Sequence, residues 1–103
     1  MVTELTDSTF DAFVRNNKIA VIDCWAPWCG PCRRMAPIME DLSNATLGKA
    51  GVAKLNVDNS HAISTRFGIR AIPTVLIFKD GVLVETLVGL RGKEDFLEII
   101  NTI

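Results

Sequence analysis

The chain has no tyrosine, a single histidine (His61) and only three cysteines, Cys24, Cys29 and Cys32. One histidine removes most histidine-based metal sites and catalytic triads. An odd cysteine count disfavours a fold supported by a framework of disulfides. Neither sign of charge dominates: 11 basic residues face 12 acidic ones, for a net charge of -1. Nucleic acid and anionic membrane surfaces both select basic faces, so neither is expected as a partner. No apolar run approaches the ~20 residues of a membrane span. Residues Met1–Asp7 carry no basic segment followed by the apolar run of a signal peptide. The expected setting is the cytoplasm, where thiols stay reduced and cysteines signify metal binding, catalysis or packing.

What is present is ordinary globular composition over 103 residues, 49% hydrophobic and 22% charged. That is one domain's worth, residues 1–103, and enough to bury roughly two thirds of the unfolded surface without staples. There is no repeat, linker or low-complexity stretch.

Strand-like and helix-like signals alternate. Val2–Leu5 reads as a short strand. Phe10, Phe13 and Val14 share a helical face within 7–17, with Asp7 or Ser8 available as cap. Residues 19–26 form a nearly continuous apolar run, which suits a strand buried on both faces. Met35, Ile38, Met39 and Leu42 mark a helix over 30–47, interrupted by Pro37. Over 52–58, Ala53, Leu55 and Val57 alternate with Val52, Lys54 and Asn56. Residues 60–67 read as a short helix stopped by Gly68. Two β-rich runs, 74–79 and 82–88, flank Asp80-Gly81, a strong hairpin signal. Phe96, Ile99, Ile100 and Ile103 stripe a last helix over 93–103. The order βαβαβαββα predicts an α/β fold with a central mixed β-sheet flanked by helices.

The chemistry is concentrated in Trp28-Cys29-Gly30-Pro31-Cys32, at the junction of a buried strand and a helix. Thiols at i and i+3 on a first helical turn are close enough to bridge. The positive potential of a helix N-terminus favours a thiolate. Cys29, nearer that end, is expected to be more exposed and to attack; Cys32, one turn in, to be shielded and to resolve the mixed disulfide. A zinc site would need two further ligands, and only Cys24 and His61 remain. Cys24, Cys29 and Cys32 match the C-x4-C-x2-C spacing of a [2Fe–2S] ferredoxin, but a fourth cysteine is missing. Cys24 itself reads as a small buried hydrophobe.

Asp23 interrupts the apolar run. Either it reaches solvent or a backbone N–H, or it is a desolvated carboxyl of raised pKa serving as a proton carrier beside the cysteines. Lys54, on the next strand, is its candidate partner or else a solvated edge lysine. Trp25 reads as core. Trp28 either packs or shapes the site. Pro73, in Ile72-Pro73-Thr74, is ordinary at a strand start, and a cis bond there is the minority form.

The segment from Asp23 to Cys32 closely resembles the active-site segment of the thioredoxin family. The resemblance continues through Pro37, Ala53–Asp58, Phe67–Arg70, Ile72–Thr74, Phe78–Gly81 and Val88-Gly89, and so spans the whole chain. It implies the thioredoxin fold and a cis Ile72-Pro73 bond facing the disulfide. It further implies that Asp23 handles protons for Cys32 with Lys54 beside it, and that Asp58 lies near the Trp28 indole. By the same resemblance Trp28, Gly30, Pro31, Ile72, Pro73 and Gly89 line an apolar substrate groove, with Leu90 a weaker member. The chain departs from the family pattern at Cys24, where an aromatic is common, and at Ala71, where glycine is common.

The resemblance implies a general protein-disulfide reductase, monomeric and without a dissociable cofactor. Its partners would be disulfide-containing proteins and a separate reductase, either an NADPH-fed flavoprotein or a ferredoxin-linked enzyme. An oxidase or isomerase module is the rival enzyme. A positive group between the cysteines would stabilise the reduced form and make an oxidant, whereas Gly30-Pro31 supplies no charge and favours a reductant. A binding subunit that uses the groove only for docking is the non-enzymatic alternative.

Overall fold

In the computed structural model, which describes residues 1–103, nine elements follow one another: β1 (Thr3–Leu5), α1 (Phe10–Asn16), β2 (Ile19–Trp25), α2 (Gly30–Ala45), β3 (Gly51–Asn56), α3 (His61–Arg66), β4 (Thr74–Lys79), β5 (Val82–Val88) and α4 (Lys93–Thr102). The expected order is the observed one. The strands form one sheet in the order β1-β3-β2-β4-β5. β3 runs parallel to both β1 and β2, while β4 is antiparallel to β2 and to β5.

Strand alternation divides β2 between two cores. Ala20, Ile22 and Cys24 face a cluster that includes Phe10 and Val14 of α1 and Ile63 of α3. Ile19 and Val21 face Met35, Met39 and Leu42 of α2 together with Phe96 and Ile100 of α4. The same alternation puts Asp23 and Trp25 on the α2 side, in line with Cys32. On β3, Ala53 and Leu55 pack toward α1 and α3, while Val52 packs toward α2. Lys54 therefore shares the α2 side and pairs in register with Asp23. Phe10, Phe67 and Phe78 close the first core as a ring trio with centroids 5.4 to 5.7 Å apart.

Two local expectations change. α1 begins at Phe10 with Thr9 as N-cap and no side-chain cap bond. Asp7 instead accepts from the backbone N–H groups of Ala62 and Ile63, at 3.2 and 3.0 Å, and so caps α3. A carboxylate cannot reach both helices, and the unpartnered donors of α3 hold it. β3 ends at Asn56, not Asp58, because the Asn56 side chain accepts the Asp58 N–H at 2.9 Å and turns the chain. The hairpin forms as its dipeptide predicts: Asp80 and Gly81 both take positive φ, 51° and 82°, as a type I′ turn requires. α2 continues through Pro37, which lies on its exposed side.

Candidate redox-active site

The end of β2 delivers the chain into a turn in which the Cys29 N–H donates to the Ala26 carbonyl at 3.2 Å. Cys29 is the N-cap of α2, with extended backbone (φ -89°, ψ 112°), and its sulfur accepts the Cys32 N–H at 3.1 Å. An N-cap side chain ordinarily brings oxygen to this position; here a sulfur receives the helix's unpartnered donor and its positive end. Pro31 occupies the first turn, where its missing N–H costs nothing. Cys29 and Cys32 are joined as a disulfide, with Cα atoms 5.2 Å apart. In this oxidised form the expected contrast in exposure is slight: Cys29 is 5% exposed and Cys32 3%.

The cap of the site comes from three other segments. The Ile72-Pro73 bond is cis, and the Ile72 carbonyl oxygen lies 3.8 Å from the Cys29 sulfur. Pro73 is buried, and its carbonyl accepts the Gly89 N–H at 2.8 Å, joining the loop before β4 to the end of β5. Gly89 has φ +98°, a conformation that side chains rarely adopt. Trp28 is 68% exposed, which excludes a core role. Its indole N–H donates to the Asp58 carboxylate at 3.1 Å. His61 Nε2 lies 2.7 Å from the Asp58 carbonyl oxygen.

Asp23 is 4% exposed, and its Oδ1 has no hydrogen-bond partner. Burial pushes its carboxyl up to about 7, against a smaller opposing pull from the Lys54 ammonium. Lys54 does not close an ion pair with it: the only pair within 4 Å in the molecule joins Arg66 to Asp11. The Lys54 Nζ stands 5.4 Å from the centre of the Trp25 ring. Asp23, Trp25, Cys32, Met39, Glu40 and Lys54 line a cavity of about 140 Å³. Two buried polar atoms of its lining residues, Asp23 Oδ1 and Trp25 Nε1, have no hydrogen-bond partner. Cys24 points to the opposite core; burial, with the Asp23 charge adding, pushes its thiol up to about 12.

The structure thus gathers Cys29, Cys32, Trp28, Gly30, Pro31, Ile72, Pro73, Gly89 and Asp58 at one end of the sheet. It places Asp23 and Lys54 below, on the inner side of α2. Leu90, 43% exposed, follows at the edge. Sequence reasoning missed Glu40 at the cavity and His61 beside Asp58. Glu40 had a signal: it follows Cys32 at i+8 through Ala36 at i+4, on one helical face. His61 had none, since its approach to Asp58 depends on the turn after β3.

No group of side chains in the chain is arranged to hold a metal ion. A pair of cysteines bridged across the first turn of a helix defines a thiol–disulfide exchange protein. The thioredoxin family model matches residues 1–102. Thioredoxin from Alicyclobacillus acidocaldarius is 46% identical over 90 residues, covering 87% of this chain and 86% of its own. Thioredoxin from Haemophilus influenzae is 41% identical over 101 residues, 97% and 94% of the two chains. Among solved structures, a thioredoxin variant from Halobacterium salinarum superposes with a TM-score of 0.91 at 33% identity, covering 97% of this chain and 88% of that one. The chain belongs to the thioredoxin family, and with its Cys29–Cys32 pair it is a protein-disulfide oxidoreductase.

Proposed function

We propose that the protein is a general disulfide reductase in which Cys29 attacks and Cys32 resolves. The observation that carries this reading is the Cys29 sulfur in the N-cap position of α2, with Cys32 one turn inside. In the reduced protein the Cys29 thiolate forms a bond to one sulfur of a target disulfide. The target S–S bond breaks, and the departing sulfur takes up a proton. The Cys32 thiol then gives its proton to the Asp23 carboxylate and attacks the Cys29 sulfur. The mixed disulfide breaks and the second target sulfur leaves, accepting a proton. The target gains two electrons, and the protein is left as the Cys29–Cys32 disulfide. A carboxyl with a pKa of about 7 is divided between its two forms at neutral pH, so it suits a group that accepts and returns one proton per cycle.

Trp28, Gly30, Pro31, Ile72, Pro73 and Gly89 receive the target as an extended segment, with Asp58 holding the Trp28 indole. Lys54 supports the ionised form of Asp23. The chain acts as a single unit and a monomer, without a cofactor, in a reducing compartment such as the cytoplasm. A separate reductase, flavoprotein or ferredoxin-linked, returns the dithiol. Reduction of insulin disulfides by the protein and by Cys29→Ser tests the reading. Loss of reduction in the variant supports it, and retained reduction would contradict it. Binding of targets without any reduction by the unsubstituted protein would instead indicate a docking module.

A further inference from the structure

Three arginines stand on the three segments that carry or cap the disulfide. Arg33, in the first turn of α2, donates from Nη1 to the Pro27 carbonyl at 2.9 Å. Its guanidinium therefore lies over the turn that carries Trp28 and Cys29, and it also borders the cavity beneath Cys32. Arg70 is exposed and stands two residues before Ile72, whose carbonyl lies against the Cys29 sulfur. Arg91 stands two residues after Gly89, whose N–H is bonded to Pro73. Its Nη2 is 3.5 Å from the Val88 carbonyl oxygen, and its Nε is buried without a partner.

None of the three has a carboxylate within 4 Å, since the molecule's only ion pair is Arg66–Asp11. Asp23 and Glu40 share the cavity that Arg33 borders but stand more than 4 Å from its guanidinium, and other carboxylates have other partners. Asp58 holds the Trp28 indole, and Asp7 caps α3. Glu94 and Asp95 occupy the first turn of α4, where they favour that helix's N-terminus. A chain of net charge -1 thus carries three arginines without ion pairs on the segments that hold and cap its redox site.

We propose that Arg33, Arg70 and Arg91 frame the redox site and select target disulfides flanked by acidic residues. This rests on the exchange reading above and adds the class of target to it. A target sulfur bonded to Cys29 has its own neighbouring residues on either side: Arg33 meets one flank, and Arg70 with Arg91 the other. Guanidinium groups suit carboxylates because they present paired donors in a fork. Complementary charge at a rim acts mainly on encounter and on the choice of partner.

The test uses the pre-reduced protein and two disulfide peptides of one sequence, differing only in Glu or Lys on both sides of the disulfide. The second-order rate of protein oxidation is read for each. The Glu peptide is expected to react about tenfold faster at low ionic strength, the scale of a few exposed charge pairs. The ratio falls toward one in about 0.5 M salt, where the screening length drops to a few ångströms. It also falls in R70Q/R91Q. K18Q/K49Q removes the same charge at the opposite end of the sheet and keeps the ratio. Damage to the site in R70Q/R91Q would slow both peptides and leave their ratio intact. A ratio near one or inverted in the unsubstituted protein, a ratio untouched in R70Q/R91Q, or an equal loss in K18Q/K49Q would overturn the proposal. Bis(2-hydroxyethyl) disulfide, which is neutral, separates the two readings. If it oxidises the protein while the peptides are not discriminated, only the arginine frame falls; if neither it nor the peptides react, the exchange reading falls with it.

Discussion

Replacing Asp23 with alanine is expected to make the protein more stable at neutral and alkaline pH while slowing exchange. The carboxyl has a folded pKa of about 7 against an ordinary value of 3.8, raised chiefly by burial. Below pH 3.8 it is neutral in both states and imposes no electrostatic penalty. Between that pH and about 7, the unfolded chain has released its proton and the folded chain still holds it. The unfolded state therefore binds fewer protons, and stability falls as pH rises. At about 1.4 kcal/mol per pH unit, the full penalty above pH 7 is about 4 kcal/mol. Asp23→Ala removes it. The lost atoms enlarge a cavity that is already present, at a pH-independent cost of about 1 kcal/mol. The variant should thus gain about 3 kcal/mol at pH 8 and be about 1 kcal/mol less stable than the parent at pH 3. Denaturant melts of the oxidised forms at both pH values measure this, because the disulfide removes Cys29 and Cys32 from the titration. A stability difference that does not change with pH, or a variant weaker than the parent at pH 8, would refute the assignment of Asp23 as a desolvated carboxyl. Stabilisation without slower exchange would keep the burial argument and end the proton-carrier role.

Other outcomes follow from single contacts. In the reduced, folded protein at pH 7, a limiting amount of iodoacetamide should label Cys29 first and Cys24 last, because burial pushes the Cys24 thiol up to about 12; peptide mapping would show equal labelling if the argument is wrong. Asp7→Ala should cost about 1 kcal/mol in a denaturant melt by freeing two donors of α3, and no loss would mean that water replaces the cap. Cys24→Ala should lose about 1 kcal/mol of stability with unchanged insulin reduction, since its side chain is packed in the core away from α2; a change in reduction would give the third thiol a part in the chemistry.

Much of the architecture is legible in the sequence because each element announces itself locally. The apolar run of β2, the helical stripe of α4 and the Asp80-Gly81 turn all depend on neighbours in the chain. The cysteine pair is legible for the same reason, since its spacing and the helix that follows are both local. Asp23 is different. Its neighbours say that it is surrounded by apolar residues, but not which side of the sheet it faces. The register with Lys54 and the position of α2 over that side decide between a solvated and a desolvated carboxyl. Asp7 fails for a related reason: a cap residue before α1 is a sound local inference, yet the donors that hold it lie 55 and 56 residues away. The contacts of Trp28 with Asp58, and of Ile72 with Cys29, likewise join segments far apart in the chain, and only the family resemblance anticipates them.

The central claim is the division of labour between the two cysteines, and a trapping experiment tests it most directly. Reduced Cys32→Ser and Cys29→Ser proteins are each mixed with a disulfide peptide and mapped by mass spectrometry. With the resolving thiol gone, Cys32→Ser should accumulate a stable mixed disulfide on Cys29, while Cys29→Ser should acquire none over the same interval. An adduct forming as fast on Cys32 in Cys29→Ser, or on Cys24 in either variant, would contradict the account.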